Sequence, residues 1–287
     1  MCDSDDKSFI VDTSVTRRSV VLGLSLVAAA AGLPSAALAG QVVESDVMVK
    51  TADGSADAVL FHPVGRGKWP AVLLWPDILG LRPVFREMGR RLAAQGYTVL
   101  VPNPFYRTRR APIVTGPFDF GDKAALAKLM ELKATLTDAR IDGDTGAFLA
   151  FLDRQKQVDR RKGVGVQGYC FSGPFAFRAA ALRPDRIRAV ATFHGGGLVT
   201  KDPSSPHLLI PRTKARFLVA IAQNDDQKQP EAKDVLRRAF AAARRPATVE
   251  VYPADHGWCV AGSQAYNEPA AERAWRELLK LYRASLG

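Results

Sequence analysis

The chain is poor in the residues that build disulfide frameworks and metal centres. Its 287 residues include three cysteines and four histidines. Three cysteines make no disulfide framework. No cluster of His, Cys, Asp or Glu has zinc-ligand spacing, and Gly163-x-Gly165 opens no phosphate loop, so neither a metal nor a cofactor is expected. Long basic runs are missing too. Despite a formal net charge of +11, none exceeds Arg160-Arg161-Lys162, and no aromatic-basic recognition motif is present. That charge reads as a solvated basic surface, and no nucleic-acid partner is expected. Internal repeats and interdomain linkers are also lacking. What is there, 47% hydrophobic and 24% charged residues, is the composition of an ordinary globular domain.

Residues 1–39 read as a twin-arginine-type signal peptide. A polar start leads to Thr16-Arg17-Arg18-Ser19, then an uncharged apolar stretch over 20–32, and Ala37-Leu38-Ala39 forms a small-x-small cleavage site before Gly40. This stretch is below the roughly 18–20 residues a spanning helix needs, so no stable membrane anchor is expected once the signal is removed. The expected location is periplasmic or secreted. Removal takes three basic residues (Lys7, Arg17, Arg18), four acidic ones (Asp3, Asp5, Asp6, Asp12) and Cys2, leaving a charge of +12. The two remaining cysteines are Cys170 and Cys259. An oxidising compartment invites a disulfide between them.

From residue 45 onward, strand and helix signals alternate. Residues 47–50 and 57–61 flank a Gly54 turn and predict an antiparallel hairpin. The solidly apolar run 71–75 predicts a strand buried on both faces, 97–101 is the next buried strand, and 189–193 and 217–221 predict two more strands. Helices are expected over 85–95, 122–155, 231–244 and 269–284, with a last strand over 248–252. Strands separated by helix-length segments predict a doubly wound, mostly parallel sheet flanked by helices, an α/β fold in a single domain over 40–287. Ligand sites in such sheets lie outside the carboxyl ends of the strands. The reactive residues falling there are Asp77, Arg107, Cys170, His194, Asp225 or Asp226, and His256.

Cys170 stands out among them. Val164 and Val166 alternate with small or polar residues, and beyond Gly168 the pattern becomes an apolar helical run that stops at Arg183-Pro184. Cys170 therefore sits where a strand becomes a helix, with small residues at 168, 172 and 173 permitting a tight turn. This is a nucleophile elbow with Cys in place of Ser. A thiol attacks an acyl carbon only as thiolate, so it needs a base and a group to orient that base. His256, in the loop after the last strand, supplies the base. The order Cys, Asp, His is that of the α/β-hydrolase triad. The acid is Asp225 by its spacing from Ala222 and Asp226 by its spacing to Pro230; the strand end fixes the first spacing more directly, which favours Asp225. His194-Gly-Gly-Gly197 follows the nucleophile, unlike the lipase oxyanion motif, and reads as a turn in the site wall. His62 and His207 read as structural or exposed. The competing reading is a non-catalytic periplasmic binding protein on the same fold, with Cys170 buried or disulfide-linked to Cys259.

Over about residues 45–287 the chain resembles the dienelactone hydrolase family of cysteine-dependent α/β-hydrolases. The matching pieces are Trp75-Pro-Asp-Ile-Leu-Gly-Leu-Arg-Pro83, Val101-Pro-Asn-Pro-Phe-Tyr-Arg107, Gly168-Tyr-Cys-Phe-Ser-Gly173, Ala222-Gln-Asn-Asp225 and His256-Gly-Trp258. The resemblance implies the α/β-hydrolase fold and cleavage of small-molecule esters or lactones through a thioester acyl-enzyme, as in a carboxymethylenebutenolidase. It implies Cys170 as nucleophile, His256 as base and an Asp as third member. It also implies the Ile78 and Phe171 amides as oxyanion hole and Asp77, Arg107 and Trp258 as substrate-binding residues. Asp77 stands where family members usually carry Glu. Val260 stands where the founding enzymes carry a second substrate-binding arginine. A monomer is expected.

Overall fold

The computed structural model describes residues 10–14 and 40–287. The twin-arginine pair, the apolar stretch and the cleavage site of the expected signal lie outside the described residues. In chain order the strands are β1 (Ile10–Asp12), β2 (Val42–Thr51), β3 (Gly54–Pro63), β4 (Ala71–Trp75), β5 (Thr98–Pro102), β6 (Pro117–Asp119), β7 (Val164–Tyr169), β8 (Ile187–Phe193), β9 (Arg216–Ala222) and β10 (Ala247–Tyr252). The α-helices are α1 (Pro83–Ala93), α2 (Lys123–Ala134), α3 (Asp138–Arg154), α4 (Gly173–Leu182), α5 (Pro206–Leu209), α6 (Gln223–Lys228), α7 (Ala232–Ala242) and α8 (Glu268–Leu286).

Eight strands form one sheet in the order β10-β9-β8-β7-β4-β5-β3-β2. All pairings from β10 through β5 are parallel, and the β2–β3 hairpin closes one edge antiparallel to β5. The central strands read as continuous apolar runs because each of their faces is covered: every residue of β4, β5 and β7 is buried. On one face lie α3, α4 and α7, through Phe148, Phe177 and Phe240. On the other lie α1 and α8, through Phe85 and Tyr282. The expected helical region 122–155 is two helices. Thr137 caps the second by accepting the Arg140 amide at 3.4 Å, so the chain turns between them. No helix among the described residues is long and apolar enough to cross a membrane.

Parallel pairing puts the carboxyl ends of β4, β7, β8, β9 and β10 on one edge of the sheet. Asp77, Cys170, His194, Asp225 and His256 each follow one of these ends.

Candidate active site

The chain reverses sharply at Cys170. β7 ends at Tyr169, Cys170–Ser172 form a single 3-10 turn, and α4 begins at Gly173 with Pro174 in its first turn. Cys170 takes a φ of +57°, in the left-handed region that side chains seldom occupy. Such a conformation costs about 1–3 kcal/mol and is held only where its surroundings impose it. Here the Ser172 hydroxyl accepts the Tyr169 amide at 2.9 Å and lies 3.1 Å from the Trp75 carbonyl oxygen, tying the turn to β4. A β-carbon at Gly168 would stand 2.2 Å from the Ser172 carbonyl oxygen, so only glycine fits. The Cys170 carbonyl accepts the Gly196 amide at 3.2 Å, which joins the elbow to the turn after β8.

His256 lies beyond β10, its backbone amide donating to Asn224 Oδ1 at 2.9 Å. Its Nδ1 is 2.6 Å from Asp225 Oδ2. Asp226, next in sequence, turns the other way and binds Lys233 Nζ through both oxygens at 2.8 Å. Both aspartates stand in the first turn of α6.

Cys170 and His256 line one pocket with Asp77, Ile78, Leu79 and Arg82 from the turn after β4. Asp77 is buried, and Arg82 grips it with two nitrogens at 2.5 and 2.8 Å, while the Leu79 amide donates to it at 3.0 Å. The same guanidinium donates to the Gly80 carbonyl at 3.2 Å and lies over the Phe85 ring. The far wall is His194, Gly257, Val260 and Ser263. His194 is buried, with a φ of +41°, and its ring centre is 4.7 Å from that of His256. Burial first, and the neighbouring His256 second, hold its imidazole well below the usual histidine range, so the ring is neutral.

β1 reaches the pocket. Val11 and Phe120 complete the lining. β1 pairs antiparallel with β6, Val11 opposite Phe118, and the Asp12 amide donates to the Gly262 carbonyl at 2.9 Å. The Thr13 hydroxyl donates to the Gly116 carbonyl at 2.5 Å.

The dienelactone hydrolase family profile matches residues 56–286. The chain belongs to that family. A Rhodococcus opacus carboxymethylenebutenolidase is 28% identical over 75% of this chain and 81% of its own. A Methylorubrum extorquens relative is 25% identical over 98% of this chain and 97% of its own. Among solved structures, one from Klebsiella pneumoniae superposes with a TM-score of 0.74 at 22% identity, covering 85% of this chain and 99% of the other. A dienelactone hydrolase-like promiscuous phosphotriesterase from metagenomic libraries superposes at 0.69, with 22% identity, 86% of this chain and 99% of the other covered. These last two carry the fold: the protein has the α/β-hydrolase architecture expected from its sequence.

Two residues expected at the substrate site, Arg107 and Trp258, are not among the residues lining this pocket. Arg107 binds Asp144 of α3 through two nitrogens at 2.7 and 2.8 Å and Asp53 through Nε at 2.7 Å. Its charge is spent fastening the loop after β5 to α3 and to the β2–β3 turn. Trp258 is fully buried, stacked on Tyr252 at 4.6 Å and edge-on to His194 at 6.2 Å. It stands behind the wall, where its large apolar area holds His194 and the His256 loop in place. Arg82 was not singled out from the sequence, although an arginine five residues from Asp77 and just before a helix-starting proline was a usable signal. Neither Cys170 nor Cys259 is in a disulfide; Cys170 packs in the core on one face of the sheet, and the partly buried Cys259 packs against the core on the other. Among the described residues, no group of three or more His, Cys, Asp or Glu could hold a metal ion.

Proposed function

We propose that this hydrolase cleaves carboxylic esters or lactones through Cys170, His256 and Asp225, by way of a thioester acyl-enzyme. The observation that carries the reading is the 2.6 Å contact of His256 Nδ1 with Asp225, beside a pocket that His256 shares with an elbow cysteine. Asp225 accepting from Nδ1–H selects the tautomer in which Nε2 is the base. His256 takes the thiol proton, and the sulfur of Cys170 bonds to the acyl carbon while the carbonyl π pair moves onto oxygen. The Ile78 and Phe171 amides donate to that oxyanion. Its collapse breaks the carbon–oxygen bond, and the departing alkoxide takes the proton from the His256 imidazolium. Water, deprotonated by His256, then attacks the thioester. The second tetrahedral intermediate collapses, breaking the carbon–sulfur bond; the acid leaves, and the Cys170 thiolate takes back a proton from the His256 imidazolium.

Cys170 and Cys259 packing against separate cores, with no disulfide between them, supports a nucleophilic Cys170 over a disulfide-capped binding protein. Residues 1–39 would export the enzyme to the periplasm, so the exported form begins at Gly40, as amino-terminal sequencing of that form checks. The chemistry is tested with p-nitrophenyl acetate. Cys170→Ala is expected to abolish turnover above the buffer rate, and equal rates for variant and wild type overturn the reading.

A further inference from the structure

We propose that His194 touches the alcohol half of the bound substrate and selects esters or lactones bearing an uncharged hydrogen-bonding oxygen there. The proposal rests on the hydrolase reading above.

His194 is 1% exposed, and both its ring nitrogens are buried without a hydrogen-bond partner among the described residues. A buried polar group left in this state is costly, and native structures keep few of them. Its backbone adds to the cost, since a φ of +41° is unusual for a residue with a side chain. The surroundings enforce both. The His194 amide donates to the Ala220 carbonyl at 2.8 Å, Trp258 backs the ring, and Gly195 packs on the elbow with a virtual β-carbon only 2.3 Å from Thr192 Oγ1. An expensive arrangement locked in place on the wall of a pocket is explained by a ligand that completes it.

Two further points define that ligand. In the mechanism proposed above His256 delivers its proton to the leaving oxygen, so the ring beside His256 stands beside the alcohol half. The centre-to-centre distance of 4.7 Å makes His194 that ring. The charge of the pocket is also settled: Arg82, its cation, is already held bidentately by Asp77, and Val260 offers none. A neutral imidazole, with one donor and one acceptor nitrogen, suits a hydroxyl or carbonyl oxygen and not a carboxylate that would have to displace Asp77.

The test uses a matched pair, 2-hydroxyethyl acetate and ethyl acetate, with wild type, His194→Phe and His194→Gln. The Phe variant is expected to lose about tenfold more in kcat/KM on the hydroxyester than on ethyl acetate, as for a buried hydrogen bond left unmade. Gln, which keeps a donor and an acceptor, restores most of the hydroxyester rate. Equal losses on the two esters would mark a structural role and overturn the proposal, as would no loss on either. If wild type turns over neither ester, the hydrolase reading fails, and His194 is then tested by binding alone. In Cys170→Ala protein, the ring-nitrogen NMR shifts of His194 should move with the hydroxyester and not with ethyl acetate; unmoved shifts overturn the contact.

Discussion

Asp225 and Asp226 are chemically identical neighbours with different partners, and partner decides role. The first meets His256 Nδ1, and the second pairs with Lys233. Asp225→Asn keeps the shape but favours the wrong imidazole tautomer, so kcat is expected to fall by about 10²–10⁴. Asp226→Asn removes a partly exposed ion pair worth at most about 1 kcal/mol and should leave kcat within about twofold. Steady-state kinetics of the two variants on one ester check this, and similar losses in both would contradict it. The sequence left the two acids open because the choice depends on how α6 is wound. One residue of helix turns the side chain through about 100°, and six polar residues carry no periodic signal of a helix.

The turn between β4 and α1 depends on a buried ion pair, since it places Ile78 through the grip of Arg82 on Asp77. Arg82→Ala would leave the Asp77 carboxylate buried and uncompensated, at a cost of about 3–5 kcal/mol in stability. Urea unfolding of Arg82→Ala against wild type measures that loss. Adding Asp77→Asn should recover part of it, because the charge left behind is what costs most. Much of the fold at this scale was legible: β4, β5, β8 and β9 are continuous apolar runs because helices cover both faces, and the elbow showed as a change of periodicity at Gly168. Contacts between distant elements were not. Arg107 reads as a pocket arginine until Asp144 and Asp53 are brought to it by α3 and the β2–β3 turn. Trp258 reads as a site residue until Tyr252 stacks on it. The break between α2 and α3 was hidden in a polar stretch with weak periodicity.

Across the whole molecule, the described residues 10–14 of the amino-terminal segment reach the site. Ile10–Asp12 lie as a strand between β6 and the 262–264 loop and place Val11, 4% exposed, in the pocket lining. A chain starting at Gly40 lacks that strand. Cys170 should therefore be alkylated by iodoacetamide faster in a 40–287 protein than in the full chain, with Val11→Asp in the full chain giving an intermediate rate. Peptide mass spectrometry reads Cys170 separately from Cys259, and equal Cys170 rates in the two proteins would contradict shielding of the sulfur by β1. The strand was not legible because residues 1–39 carry the stronger pattern of an export signal. Its pairing is made with β6, more than a hundred residues away.

The account turns on a sulfur that becomes acylated. Acid-quenching the protein during turnover of p-nitrophenyl acetate and mapping its peptides by mass spectrometry tests this most directly. The account predicts one acetyl group on the peptide containing Cys170, removed by neutral hydroxylamine and accumulating where His256→Ala slows its hydrolysis more than its formation. Turnover with the acetyl group on another residue, or undiminished turnover in Cys170→Ala, would contradict it.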